Sequence, residues 1–146
     1  MSNCRAAVVL EELGDWLAAE SEAGRITPAL QDVMENADWN YVTSSVFVVL
    51  TIPQQDFPRN NPQNVDARLL IRACLSESRP KVIQREILNF GKQIVRAINR
   101  RSGKIGGATL CLERIRAMAQ PREGKEPIHW AEIEYALKFH ENNGEQ

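Results

Sequence analysis

The sequence predicts an α+β fold, in which a mostly antiparallel β-sheet packs against an N-terminal helix and one long central helix. Two observations lead to this class. Apolar residues recur at three- and four-residue steps in two segments, as in amphipathic helices, and alternate with polar residues in others, as in strands. The predicted order is helix, short helix, strand, long loop, strand, long helix, strand, strand, which is typical of an antiparallel sheet covered on one face by helices.

The composition indicates one cytosol-made domain without a dominant charge. The chain has 146 residues, of which 43% are hydrophobic, so we expect a single domain over residues 1–141 and a flexible tail over residues 142–146. With 18 basic and 19 acidic residues, the net charge of -1 provides no global field for nucleic acid or a membrane surface. The three cysteines have unrelated spacings, which indicates reduced thiols. No segment approaches the roughly twenty apolar residues of a membrane span.

The first predicted helix begins near Arg5. Its apolar positions follow a helical period and end before Gly24, a helix-terminating residue. Thr27 and Pro28 then fit an N-cap and a first helical position, which predicts a short second helix to about Met34.

The first strand and a long loop are predicted next. Residues 41–52 are rich in Val, Thr and Phe, as strands are, and Pro53 is expected to end this strand. Residues 53–64, PQQDFPRNNPQN, contain three prolines, which predicts a loop without regular structure.

The clearest strand covers residues 65–75, where apolar and polar residues alternate with one exception at Leu70. After Pro80 the apolar residues follow a helical period, which predicts a long helix to about Arg101 with Gly103 beyond its end. Gly91 inside this helix indicates that another backbone packs closely there.

Residues 108–119 fit two structures equally well. A strand is possible if its alternation slips at Glu113 and Arg114, as a β-bulge would cause, and a helix is possible because Cys111, Ile115 and Met118 share one helical face.

The last element, HWAEIEYALKFHE, alternates almost perfectly over residues 129–141. Its residues are good helix formers, but a helix would scatter the apolar side chains around its circumference, so we predict a strand. The preceding PREGKEP has the Gly and Pro content of a hairpin turn, which predicts an antiparallel pair.

The sequence offers little chemistry, and we expect no catalytic, cofactor or metal site. His129 and His140 are predicted on opposite faces of the last strand, where they cannot share a metal. GKIGG at residues 103–107 lacks the Lys-Ser/Thr of a phosphate loop and is interpreted as a loop that ends the helix. Glu132 and Glu134 are interpreted as solvated acids on a strand rather than as a catalytic pair, and Glu132 and Lys138 as alternative candidates for cross-strand or intersubunit pairing.

Basic residues cluster along the long helix. We interpret them as a solvated face opposed by the acidic first helix, and a nucleic-acid surface is the alternative, although no aromatic residues interleave for base stacking. The cluster consists of Lys81, Arg85, Lys92, Arg96, Arg100, Arg101 and Lys104.

Three segments carry a resemblance to a known family: RAAVVLEELGDWL as the opening helix, VDARLLIRACLSES followed by PKVIQREILNFGKQIVRAI, and IHWAEIEYALKFHE as the closing strand. In this order they are similar to the tail terminator, or tail completion, proteins of tailed bacteriophages. The similarity covers most of the chain and is one of pattern. The predicted second helix at residues 27–37 departs from the family's simplest pattern.

The resemblance implies a virion protein without enzymatic activity or cofactors. Copies of it, about six in number, would form a ring at the head-tail junction, assembled in the host cytoplasm. The ring would cap the tail tube, end its polymerisation and join the tail to the head or neck. Its partners would be further copies of itself, the tube and possibly sheath protein, and the head-closure protein, with DNA passing through without sequence-specific binding.

Three surfaces are candidates for these contacts. The long loop suits an arm that orders on a partner, with Gln54, Gln55, Asp56, Phe57, Arg59, Asn60 and Asn61 as its contact residues. Subunits can also pair sheet edges, for which the last strand is a candidate. A subunit or charged-partner surface is expected at Arg85, Lys92, Arg96, Arg100, Glu132 and Lys138.

Two other functions remain open from the sequence. One is a different neck or stopper ring of a phage or a related injection machine. The other is a small cytosolic module whose basic helix binds nucleic acid or an acidic protein.

Overall fold

The computed structural model describes residues 4–76 and 83–141 and confirms the α+β fold. Within these residues, two helices pack on one face of a six-stranded sheet with the order β1-β2-β3-β6-β5-β4. We call this the helix face and the opposite one the outer face. Neighbouring strands are antiparallel except β1 and β2. The elements are α1 (Arg5–Glu22), β1 (Asp32–Met34), β2 (Val46–Asp56), β3 (Asn64–Ser76), α2 (Ile83–Asn99), β4 (Lys104–Ile105), β5 (Ala108–Arg122) and β6 (Lys125–His140). The expected tail, residues 142–146, lies outside the described residues.

The two helices form where helical spacing predicted them. The apolar stripe of α1 is fully buried at Val9, Leu13 and Leu17, because it packs on the sheet. Helix α2 ends at Asn99, two residues before the predicted end, and its last turn passes into a turn at Arg100 and Arg101. Neither described helix is long and apolar enough to cross a membrane.

Strands β3 and β6 confirm the two alternating patterns. The odd-numbered residues of β3, from Val65 to Leu75, are buried on the helix face. They stand opposite the odd-numbered residues of β6, such as Ile133 and Tyr135, which are also buried there. The final segment is therefore a strand despite its helix-forming residues, since both of its neighbours pair with it over most of its length.

The short second helix predicted after Thr27 is wrong. That segment leads into β1, which adds to β2 as a parallel strand. Gln31 fixes the pairing, because its backbone N–H donates to the Val46 carbonyl at 2.7 Å and its Oε1 accepts from the Ser45 N–H at 2.6 Å. A helix of so few residues would be marginal by itself, and this tertiary pairing satisfies the backbone instead.

Both predicted ends of the first strand are wrong. Residues 41–45 precede the strand, because Asp38 holds a turn in which its carbonyl accepts from the N–H groups of Tyr41 and Val42. Pro53 does not end the strand, which continues to Asp56. The pairing with β3 shifts register between Thr51 and Gln54, and such an irregularity accommodates a proline that lacks an N–H. The predicted long loop is thus only residues 57–63.

Residues 108–119 form a strand, which decides between the two structures that the sequence left open. Its register against β6 shifts between Leu112 and Arg114, at the position where the alternation slips. The predicted hairpin follows, with Arg122 opposite Lys125 and Gly124 in the turn at a φ of 68°.

The GKIGG segment contains the short strand β4 as well as a turn. Ile105 is buried, and Gly106 lies directly against α1, where an added Cβ would come within 2.9 Å of the Val9 Cα. The glycine therefore permits close packing between the helix and this turn.

Gly91 has the close neighbour that its position predicted. A Cβ on Gly91 would lie 2.7 Å from the Ala131 Cβ of β6, well inside van der Waals contact. The glycine therefore lets α2 lie close to the middle of the sheet.

We predict that Gly91→Ala destabilises the protein. Overpacking costs about 1–3 kcal/mol, which outweighs the helix propensity of up to about 1 kcal/mol that alanine adds. The free energy of unfolding in urea measures the effect, with Asn89→Ala on the exposed side of α2 as the matched control. In an Ala131→Gly background Gly91→Ala should cost less, and equal costs in both backgrounds would contradict the close contact.

Candidate assembly interface

Strand β5 has one side of its backbone open over most of its length. On one side it pairs with β6 as far as Arg122, whereas on the other β4 pairs only with Ala108 and Thr109. The Leu110 N–H then donates to the Gly103 carbonyl at 2.7 Å. Beyond this bond, no strand in the described part of the chain lies along that side. Residues 111–120 therefore form an unpaired sheet edge, which we call the β5 edge.

The side chains of the β5 edge are exposed on both faces. Every residue from 111 to 120 is exposed except Ile115, which is half-buried. Leu112, opposite Tyr135 on the helix face, is 43% exposed, and Met118, opposite Trp130 on the outer face, is 37% exposed. A long open strand with apolar side chains on both faces is a template for pairing with another chain.

Helix α2 places further side chains beside the β5 edge. Gly91 lies against Ile115 of β5. Gln93 points the other way, because its amide exchanges hydrogen bonds with the backbone of Thr27. At about 100° per residue from Gly91, the exposed side chains on the flank of α2 toward β5 are those of Gln84, Leu88, Asn99, Lys92 and Arg85. Two of the predicted surface residues are thus on the flank of α2 that faces the β5 side of the sheet.

Four arginines neutralise the two glutamates of β6 on the outer face. Glu132 lies between Arg72, at 3.5 Å, and Arg116, at 2.6 Å. Glu134 binds in the same way to Arg68 at 3.3 Å and to Arg114 at 2.7 Å. Both carboxylates are buried under these guanidinium groups, so they are cross-strand partners rather than solvated acids or a catalytic pair.

The other predicted surface residues are not together. Glu132 is buried within the ion pairs of the outer face, whereas Lys138 is exposed near the far end of β6, opposite Asp66 of β3. Arg96 is exposed on α2. Arg100 turns toward α1, where it binds Glu20. The structure therefore places Arg85 and Lys92 on the flank of α2 toward β5 and leaves the other four elsewhere.

The acidic first helix does oppose part of the basic cluster. Glu20 binds Arg100, and Glu12 binds Arg101. The Arg101 guanidinium also lies over the Trp16 ring, 5.3 Å from its centre. These contacts join α1 to the end of α2 and reduce the positive charge available for nucleic acid.

The surroundings of Glu20 favour the ionised form of its carboxyl group. Hydrogen bonds from Arg25 hold the pKa of this carboxyl below its ordinary value of 4.5, and Arg100 lowers it further. Burial acts in the opposite direction but does not prevail.

The other end of the sheet carries acidic residues. Strand β1 is only three residues long, and a groove of about 610 Å³ lies between it and α1. The groove is lined by both apolar and polar residues, and none of its lining residues is basic. Its acidic lining residues are Glu11, Asp15, Glu22, Asp32 and Glu35. We call this end of the sheet the β1 edge.

The predicted arm is the tip of the β2–β3 hairpin. Gln54, Gln55 and Asp56 belong to β2 rather than to a loop. Phe57, 47% exposed, begins the turn that joins the strands. Arg59, Asn60 and Asn61 in this turn are exposed too. The arm is therefore shorter and better anchored than the sequence predicted, and it presents one large apolar side chain.

A second, smaller core lies on the outer face. Trp39 stacks on Trp130 with ring centres 5.3 Å apart, and Phe47 and Val49 pack in the same cluster. Arg122 fastens the hairpin of β5 and β6 to this region by donating to the carbonyls of Trp39 and Val42. The far end of β5 is thereby held in place although one side of the strand is open.

The structure offers no metal-binding group of three or more ligating side chains among the described residues. His129 and His140 lie on opposite faces of β6, because their positions differ in parity. The arginines of the outer face were missed in the sequence. Arg114 and Arg116 on β5 show the same two-residue spacing as Glu132 and Glu134, and Arg68 and Arg72 on β3 share their parity at a spacing of four residues.

Comparison with protein-family models and with curated proteins found no match for this chain. Its function is therefore argued from the arrangement of its own residues.

We predict that Glu20→Gln lowers the free energy of unfolding by about 1–2 kcal/mol at neutral pH, since hydrogen bonds to a charged group are lost. Because the folded pKa lies below the unfolded one, Glu20 stabilises the fold above about pH 4.5, and this contribution is lost as the pH falls through the folded pKa. Between pH 7 and pH 3 the free energy of unfolding, measured in urea, should fall less for Glu20→Gln than for the wild type.

The matched control is Glu22→Gln, an exposed position on the same helix. It should change the unfolding free energy by less than about 0.5 kcal/mol. Equal pH profiles for wild type and Glu20→Gln would contradict the role of the ion pairs.

Proposed function

We propose that this chain is a structural virion protein of a tailed bacteriophage, whose copies form a closed ring that caps the tail tube and joins the tail to the head or neck. The ring would end tube polymerisation by covering the surface on which the next tube subunits add. This role is non-enzymatic and depends on shape. DNA would pass through the ring without sequence-specific contacts.

The open β5 edge is the observation that carries this proposal. A chain that leaves about ten residues of a strand unpaired offers its backbone N–H and C=O groups to a neighbour. The two ends of the sheet differ in length and composition, so contact between unlike ends would be heterologous. Heterologous contacts that close by rotation produce rings, in this case of about six copies.

The β2–β3 hairpin supports a second contact, made with a different partner. Its tip is separated from the β5 edge by β3 and β6 in the sheet. Phe57 and Arg59 at this tip would dock on the tube or the head-closure protein, and exposed apolar side chains are common anchors of such contacts. One surface would then build the ring while another recognises its target.

The same arguments apply to another ring of the phage neck, which would share the subunit contact and differ in the partner of the hairpin tip. A nucleic-acid module has less support, because Arg100 and Arg101 of the basic cluster are paired with α1.

We predict that the wild-type chain has the mass of a closed ring in solution, measured by light scattering on a size-exclusion column. Leu112→Lys with Met118→Lys should reduce this mass to that of a monomer, because charged side chains on an edge strand oppose pairing. Both side chains are substantially exposed, so thermal unfolding should change little.

The matched control is Phe57→Lys at the hairpin tip. It should leave the ring mass unchanged and abolish capping of tail tubes, seen by electron microscopy of tubes assembled with the variant. A wild type that stays monomeric at all concentrations would contradict the proposal, as would a Leu112→Lys, Met118→Lys chain that still forms the ring.

A further inference from the structure

We infer that each copy pairs its β5 edge with the β1 edge of the next copy, and that charge complementarity makes this the preferred contact. This inference rests on the proposed ring and adds which two surfaces form the joint. It is carried by the charges that flank the two edges on each face of the sheet.

The β5 edge is flanked by basic side chains on both faces. Lys92 and Arg85 are exposed on the helix face, on the flank of α2 toward β5. On the outer face, Arg114 and Arg116 remain about half exposed, at 54% each, although they bind glutamates of β6. A neighbouring strand would therefore meet an excess of positive charge, because the four arginines of the outer face outnumber Glu132 and Glu134, and Glu113 is the one acidic residue of the edge.

The β1 edge is flanked by acidic side chains on both faces. On the helix face, Glu11 and Asp15 of α1 border the groove beside Val33. On the outer face, Asp32 is the parallel partner of Phe47, whose side chain belongs to the outer-face core. Because faces stay aligned when a sheet continues into a neighbouring copy, acids would meet bases on each face.

The apolar surfaces also match. The groove at the β1 edge is lined on the helix face by the half-buried side chains of Leu10 and Val33, with the buried Leu50 beneath them. Leu112 and Ile115 of the β5 edge point to this face and would enter the groove of the next copy. Strand pairing would thus bury apolar side chains that are partly exposed in the single chain.

The charges disfavour pairing between two β5 edges. In an antiparallel pair centred on Ile115, Arg114 of one copy would stand opposite Arg116 of the other. Like charges directly opposite one another destabilise a sheet pair. The charges therefore favour contact between a β5 edge and a β1 edge over contact between two β5 edges. The first contact is heterologous and builds a ring, whereas the second would build a dimer.

A charge-swap experiment tests this inference. The basic-edge variant carries Arg85→Glu and Lys92→Glu, and the acidic-edge variant carries Glu11→Lys and Asp15→Lys. Each variant alone has like charges at both edges, so we expect monomers by light scattering. Mixed in equal amounts, the two variants should regain the wild-type ring mass, because each edge again meets its opposite charge in alternating copies.

The matched control reverses two exposed basic residues away from both edges, Arg59→Glu at the hairpin tip and Lys138→Glu on the internal strand β6, and should keep the wild-type mass. Circular dichroism and thermal unfolding check that each variant is folded. If the wild type forms a ring and either edge variant does too, or if the mixture stays monomeric, the inference is wrong and the proposed ring stands. A wild type that is monomeric throughout contradicts both.

Discussion

The position of β6 inside the sheet is the constraint on which the rest of the structure depends. Its helix-face side chains are buried under the two helices, and its outer-face carboxylates Glu132 and Glu134 are buried under arginines. Those arginines come from β3 on one side and β5 on the other, so both neighbours help to cover and pair the buried carboxylates. This pairing supports the position of β6 between β3 and β5.

Fixing β5 to β6 leaves the other side of β5 without a partner. Strand β4 is too short to cover it, and the Arg122 contacts near Trp39 hold the far end in place. The edge is thus ordered, and it has no proline between residues 111 and 120. The register shift at Leu112 and Arg114 and the charged side chains beside it are its only features of the kind that oppose unspecific strand pairing. The opposite end differs, with Pro53 in β2 and a short β1 beside an acidic groove. Because the two ends of the sheet differ, a contact between unlike ends of two copies would be head-to-tail.

Regular periodicity allowed much of the fold to be predicted. The alternation of β6 outweighed its helix-forming composition, because local propensity is weak compared with burial on a sheet. Strand β1 could not be predicted, since three residues have no usable period and the backbone pairing of Gln31 decides its structure. Pro53 misled the prediction because an irregular pairing with β3 accommodates it.

The candidate interface was only partly predictable. Arg85 and Lys92 were recognised as surface residues from their place on a basic helix, but their closeness to an open strand depends on how α2 lies over the sheet. The last strand was expected to be a pairing edge and is instead internal. Which strand lies at the edge is set by the pairing order, and a single sequence does not reveal that order for two adjacent strands of similar length.

Hydrogen exchange of the backbone amides in residues 111–120 tests the central claim most directly. The account predicts that the amides pointing away from β6 exchange rapidly in dilute protein and are protected at concentrations where the ring forms, because a neighbouring strand then accepts their hydrogen bonds. Amides that point toward β6 should be protected in both states. Equal exchange of the outward amides at all concentrations would contradict the account.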